Sequence, residues 1–247
     1  MAKYIILDTE TTGTGETDRI IQLGYIVLGR PSEGIEVHNE FCSSDVKIAL
    51  GAMETHHITP EMIEGKPACI DMQAYRRLVE LNSGDNYMII HNAPFDLGML
   101  EKEGFKNQMQ LIDTLRCAKH LYGDQEFHRL QYLRYALGLY KDEAQEAQKL
   151  GVEIKAHDAI GDVLILKLFM SALTKKVKES YPDENPMPKL VELTRQPVYL
   201  NKPLRFGKHK GKTVEELAVE DRGYLEWMKK NMDLDEDMKY TLDKVLA

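Results

Sequence analysis

YIILDTETTG, residues 4 to 13, carries an apolar run straight into two acids, Asp8 and Glu10, followed by Thr11, Thr12 and Gly13. Residues two apart on a strand share a face, so Asp8 and Glu10 project together. Two carboxylates held that close repel each other unless a cation lies between them. By itself the pair favours solvated acids at a strand end. A site for a hard cation such as Mg²⁺, which takes oxygen ligands, needs further acids elsewhere in the chain.

Working outward, RIIQLGYIVL (19–28) and IEVHNEF (35–41) read as two more strands. Gly29, Pro31, Ser32 and Gly34 keep their connection short enough for a hairpin. Helical spacing follows over 69–82, then a short apolar strand YMIIH (87–91) and a helix with Pro94 in its first turn. Leu111 to Asp113 reads as a strand before a helix from about Leu115 to Leu121. Further apolar-periodic helices cover 128–139 and 159–173. Strands first, then strands alternating with helices, predict an α/β fold with a mixed sheet covered by helices. SYPDENPMPK (180–189), with three prolines, is the expected boundary. The expected organisation is a domain over 1–179, a linker over 180–203 and a small module over 204–247.

The 247-residue chain is 43% hydrophobic and 29% charged, a composition that fits globular folding. It has no apolar run long enough to span a membrane and no signal-peptide pattern at Met1, so a cytoplasmic protein with no membrane partner is expected. Cys42, Cys69 and Cys117 are odd in number and widely spaced, which suits reduced thiols. A net charge of −8 argues against indiscriminate polyanion binding over the whole surface. It leaves room for a nucleic-acid substrate, because bound cations reverse the local sign of an acidic cluster.

Two acids stand out as partners for Asp8 and Glu10. Asp96 falls in HNAPFD (91–96), in the first turn of a helix, where a partner for the helix dipole is the ordinary reading. Asp162 falls in HDAIGDV (157–163) on an otherwise apolar helix, where an acid on the solvent face is the ordinary reading. His157 precedes Asp162 by five positions, about 140° of helix rotation, so it reaches the same cleft only from the first turn or the loop before it.

Together, DTETTG, HNAPFD and the H-x4-D of HDAIGD resemble the three motifs of the DnaQ-like (DEDDh) 3′–5′ exonucleases, in the same order. AMETHHIT (52–59) and FHRLQYLRYALGL (127–139) add supporting matches, whereas 140–156 matches poorly, and Gly161 stands where many members carry an acid. The resemblance implies a ribonuclease H-like mixed sheet of five strands. It implies that Asp8, Glu10, Asp96 and Asp162 hold two Mg²⁺ or Mn²⁺ ions, with Asp8 bridging them, and that His157 is the general base. It also implies that Thr11, Thr12, His56 and Phe95 line the pocket for the 3′-terminal nucleotide. For Phe95 a core position at helical spacing is equally open.

KPLRFGKHKGK (202–212) carries five Lys or Arg and no acid, and reads either as a phosphate contact through Lys208, Lys210 and Lys212 or as a solvated turn. With VEELAVEDRGYLEWM (214–228) it resembles the C-terminal module of exodeoxyribonuclease X-like members of the family, which implies DNA as substrate and a role in repair or degradation of ends. In that module Trp227 is expected in the core. RNA or oligonucleotide trimming, and a binding module without catalysis, are the other readings. All four acids and the histidine of the motifs are present.

Overall fold

The computed structural model describes residues 2–30, 32, 34–152 and 159–247. His157 and its neighbours from 153 to 158 lie outside the described residues. The elements are β1 (Tyr4–Thr11), β2 (Ile20–Leu28), β3 (Ile35–Phe41), α1 (Leu50–His56), α2 (Pro60–Ile63), α3 (Gln73–Leu81), β4 (Tyr87–Ile90), α4 (Ala93–Lys102) and β5 (Gln110–Asp113). They continue with α5 (Thr114–Leu121), α6 (Leu130–Ala136), α7 (Glu143–Leu150), α8 (Ala159–Ser180), α9 (Pro186–Arg195), α10 (Val214–Glu220), α11 (Arg222–Asn231) and α12 (Glu236–Leu246).

The sheet runs β3-β2-β1-β4-β5. β2 is antiparallel to both β1 and β3, whereas β4 is parallel to β1 and to β5. This is a mixed five-stranded sheet with flanking helices, as the resemblance implies. β1 lies in the middle with both faces covered, which is why its sequence is a continuous apolar run. Ile6, Ile26, Ile89 and Ile112 point to one face and join a core with residues of α5, α6, α8 and α9. Ile5, Leu7, Leu23, Tyr25, Met88 and Ile90 point to the other and pack with residues of α3 and α4. The strand period of two thus sorts neighbouring side chains of β1 into separate cores.

The stretch expected as a linker holds α9, whose Leu190, Val191 and Leu193 are buried in the first core. Asn185 caps this helix by accepting from the Met187 N–H, and Pro186 occupies its first turn. The prolines therefore start a helix here, since a first-turn proline forfeits no intrahelical hydrogen bond. Thr194 on α9 also accepts from the Asp113 N–H at 2.9 Å, tying the segment to the end of β5.

Residues 204–246 form a separate small core of Leu204, Val214, Leu217, Leu225, Met228 and Leu242. Trp227 is 51% exposed, a correction to its expected core position: Leu225 and Met228 take the inward face of α11. The module docks through Arg116, which donates to both Asp237 oxygens at 3.0 Å, and Lys202, which donates to the carbonyls of Gln125 and Glu126. Cys42, Cys69 and Cys117 are free and buried. No helix among the described residues is long and apolar enough to cross a membrane.

Candidate active site

Asp8 and Glu10 sit on the last turns of pleat in β1, both half-buried, on the face that carries α8. Their register partners on β2 are Gly24 and Gln22. Both partners touch the start of α8. A Cβ on Gly24 would lie 2.8 Å from the Ala159 Cβ and 2.9 Å from the Ile160 nitrogen, so only a glycine lets the helix come this close. Gln22 is fully buried; its side-chain oxygen accepts from the Ala159 N–H at 3.4 Å, and its amide nitrogen donates to Asn39 at 2.8 Å. The helix start is thereby pressed onto the strand opposite the acid pair, and its first turn delivers Asp162.

Carboxylate oxygens of Asp8, Glu10 and Asp162 all lie within 4.8 Å of one another. Three acids that close cost electrostatic energy without positive charge among them, and an all-oxygen donor set is what hard divalent cations prefer. The residues present therefore fit a divalent metal. Asp162 is further held by Gln131 of α6, whose amide donates to it at 2.6 Å. Gln131 is steadied in turn by Arg134, which forks onto buried Glu143 through two 2.5 Å hydrogen bonds. Neither Gln22, Gly24 nor Gln131 is distinguishable by residue type in the sequence; the pairing register reveals the first two.

Asp96 occupies the first turn of α4, on the opposite face of the sheet, and is not part of the three-acid group. It accepts from the Thr9 N–H at 3.1 Å and from the Thr9 hydroxyl at 2.7 Å. Thr9 lies between Asp8 and Glu10 and so points to the other face. Burial pushes the Asp96 carboxyl up to about 7, against the opposing pull of the Thr9 hydrogen bonds. Its helix begins at Asn92 in the left-handed region (φ 71°), a conformation that asparagine tolerates better than most residues. Asp113, the cap of α5, accepts the Asn92 N–H at 3.1 Å and braces that turn.

Beside the acids lies a cavity of about 390 Å³ whose walls include Glu10, Thr11, Gly13, Ala52, His56 and Phe95. Phe95 is half-buried, and its ring meets both the cavity and the second core. His56 accepts the Ile58 N–H on Nδ1 at 2.9 Å, so Nε2 carries the proton and donates to the Thr11 carbonyl at 3.1 Å. Burial lowers its basicity, which keeps this tautomer neutral. The Thr11 hydroxyl donates to the Gly13 carbonyl at 2.7 Å. Thr12 is fully buried and does not line the cavity; its hydroxyl donates to Asp18 at 2.7 Å and fixes the loop that follows β1. A bulge between Glu10 and Thr11 makes the switch from strand to loop.

Lys208, Lys210 and Lys212 lie in the C-terminal module. Lys208 pairs with Asp221 at 2.9 Å and Lys212 with Glu220, while Lys210 is exposed.

The model of a family described as exonuclease (RNase_T) matches residues 5–169, and one described as exodeoxyribonuclease X-like C-terminal matches residues 204–233. The chain is 29% identical over 197 residues to the PolC-type DNA polymerase III of Bacillus subtilis (strain 168), covering 73% of this chain and 12% of that protein. It is 30% identical over 164 residues to the DNA polymerase III subunit epsilon-like protein of Rhodobacter capsulatus, covering 63% of this chain and 23% of that protein. The chain thus matches less than a quarter of the length of these relatives. Among solved structures, exonuclease X in complex with 5′-overhanging duplex DNA shares the fold at a TM-score of 0.52 and 21% identity, over 78% of this chain and 99% of that one. E. coli exonuclease I in complex with a dT13 oligonucleotide matches at a TM-score of 0.53 and 20% identity, over 74% of this chain and 43% of that one. The chain belongs to the exonuclease family, as a DnaQ-like domain followed by an exodeoxyribonuclease X-like C-terminal region.

Proposed function

We propose that the protein is a divalent-metal-dependent 3′–5′ exonuclease that shortens DNA and acts in the repair or degradation of ends. The observation that carries this reading is the convergence of Asp8, Glu10 and Asp162 beside a cavity of nucleotide size. Asp8, Glu10 and Asp162, with Asp96 through the carboxylate oxygen that Thr9 does not hold, would hold two Mg²⁺ or Mn²⁺ ions. Such ions supply positive charge to the phosphodiester oxygens and make a water acidic enough to attack near neutral pH.

The chain's own residues position the reacting groups. Phe95 offers a face to the terminal base, which suits any sequence. His56, held on the Thr11 carbonyl, and Thr12, through Asp18, keep the rim of the cavity in shape. His157 takes the proton of the attacking water. Attack on phosphorus forms one P–O bond and breaks that to the 3′ oxygen of the preceding nucleotide. A nucleoside 5′-monophosphate leaves, and a new 3′ hydroxyl remains. Lys208, Lys210 and Lys212 would contact phosphates further along the strand, in a region similar to that of a DNA exonuclease.

Matched DNA and RNA strands, single and duplex, labelled at the 5′ end and digested with Mg²⁺ or with EDTA, test this. Stepwise shortening of DNA from the 3′ end, faster than RNA and abolished by EDTA, is expected. Digestion of RNA alone would overturn the substrate assignment, and DNA cleavage persisting in EDTA would overturn the metal dependence.

A further inference from the structure

The C-terminal module exposes aromatic surface beside its own core. On α11, Leu225 and Met228 are fully buried, whereas Tyr224, half-buried against the edge of that core, and the exposed Trp227, also three apart, lie on the neighbouring face. Trp227 is 51% exposed and stacks on Tyr224 with ring centres 5.9 Å apart and planes 20° apart. The basic loop is laid directly on this pair. The Leu204 and Gly211 N–H groups close the loop at 2.8 Å onto the carbonyls of Lys212 and Leu204. Gly207 is left-handed (φ 72°), and a Cβ there would lie 2.5 Å from the Tyr224 hydroxyl. This contact and this backbone both require glycine.

The loop thus brings cations and rings together on one side of Tyr224. The Lys208 ammonium sits 5.0 Å from the centre of the Tyr224 ring, and His209 meets that ring edge-on at 4.7 Å. Phe206, next to the glycine, is 41% exposed. Asp221 holds Lys208 and His209 in place through 2.9 Å contacts. Residues 202–230 carry eight Lys or Arg against five Asp or Glu, in a chain of net charge −8. Exposed rings interleaved with cations fit a polynucleotide strand: bases stack on the rings whatever their sequence, and phosphates meet the ammonium groups. A purely apolar protein partner would gain nothing from the cations.

We propose that Trp227 and Phe206, with Tyr224 and Lys208 between them, form a stacking platform for single-stranded DNA away from the 3′ end being cut. That the strand is the enzyme's substrate rests on the exonuclease reading above. Continuity with the catalytic body supports it. Lys202, at the start of the loop, is bonded to the carbonyls of Gln125 and Glu126, and the same segment leads into α6, where Gln131 holds Asp162. The platform raises affinity for strands long enough to reach it and takes no part in the chemistry.

Trp227 is the chain's single tryptophan and so reports on its own surface. The full chain in EDTA is titrated with oligo(dT) of about 20 nucleotides, with binding followed by anisotropy of a labelled strand and by tryptophan emission. Saturable quenching in step with binding is expected, and Trp227→Ala should bind about tenfold more weakly while Trp227→Phe retains most affinity. With Mg²⁺, Trp227→Ala should lose about tenfold of the preference for the long strand over a dinucleotide. Binding without quenching, or Trp227→Ala binding as tightly as the native chain, overturns the platform. The quenching is read on the native chain and so stands whatever the variant's folding. Quenching without any digestion would keep the platform and sink the nuclease reading; digestion with an unchanged length preference would do the reverse.

Discussion

The two faces of β1 carry different parts of one acidic constellation. Toward α8 lie Asp8, Glu10 and Asp162, half-buried and mutually close, in an arrangement that calls for a cation. Toward α4 lies Asp96, buried, with one carboxylate oxygen accepting two hydrogen bonds from Thr9. The first group is built on electrostatic demand and the second on hydrogen-bonded order. Three successive residues, Asp8-Thr9-Glu10, serve both because a strand alternates its side chains. A shift of one residue in register would exchange the roles, so the pairing of β1 with β2 defines the site as much as the acids do.

The largest effect expected from breaking this arrangement without touching an acid is at Gly24. Gly24→Ala drives a methyl group into Ala159 and displaces the first turn of α8. A shift of this kind at a reacting centre costs about a hundredfold in kcat. Steady-state kinetics on an oligonucleotide, with melting to show that the fold survives, measure it; near-native turnover would show that the helix start tolerates displacement.

On the other face, Thr9→Val removes the hydroxyl that donates to Asp96 and leaves a buried carboxyl short of a partner. A loss of about 1–3 kcal/mol in stability is expected by denaturant unfolding. A neutral result would mean that Asp96 is content with the backbone N–H alone.

The smallest effect concerns His91, which follows β4 and packs against Phe169 of α8. Its Nε2–H donates to the His128 carbonyl and its Nδ1 meets the Thr114 hydroxyl, both at 2.9 Å. Desolvation lowers its pKa from the ordinary 6.5 to about 4. The unfolded chain then binds a proton between these values and the folded chain does not, so this contribution is complete above pH 6.5 and lost as pH falls toward 4. Melting the native chain and His91→Gln across that window should show a difference in slope of about 1 kcal/mol per pH unit. Parallel curves would mean that the imidazole is no more desolvated than in the unfolded chain.

The comparison also explains what the sequence could reveal. The D-x-E pair, the proline-started helix carrying Asp96 and the apolar helix carrying Asp162 each rest on local sequence pattern, and the observed elements β1, α4 and α8 carry them. What periodicity cannot show is which face a distant helix covers. Asp96 and Asp162 reach β1 from opposite sides, a fact set by chain crossings and not by spacing. Gln22 and Gly24 carry no local signal for the same reason, since their role exists only in the register. The segment around Pro186 and Pro188 reads as a linker, yet α9 starts there, because proline breaks a helix interior and suits its first turn. Residue type points to a buried Trp227, whereas helical phase puts Leu225 and Met228 inside.

Joint action of Asp8, Glu10 and Asp162 in a metal-assisted cut at a 3′ end makes each charge necessary. Digestion of a 5′-labelled DNA strand in Mg²⁺ by the native chain and by Asp162→Asn, which keeps the shape and removes the charge, puts this to the test. The native chain should yield a ladder shortening one nucleotide at a time, and the variant should be slower by about a thousandfold or more, a loss of about 4 kcal/mol in transition-state stabilisation. A ladder of native rate from Asp162→Asn would contradict the account.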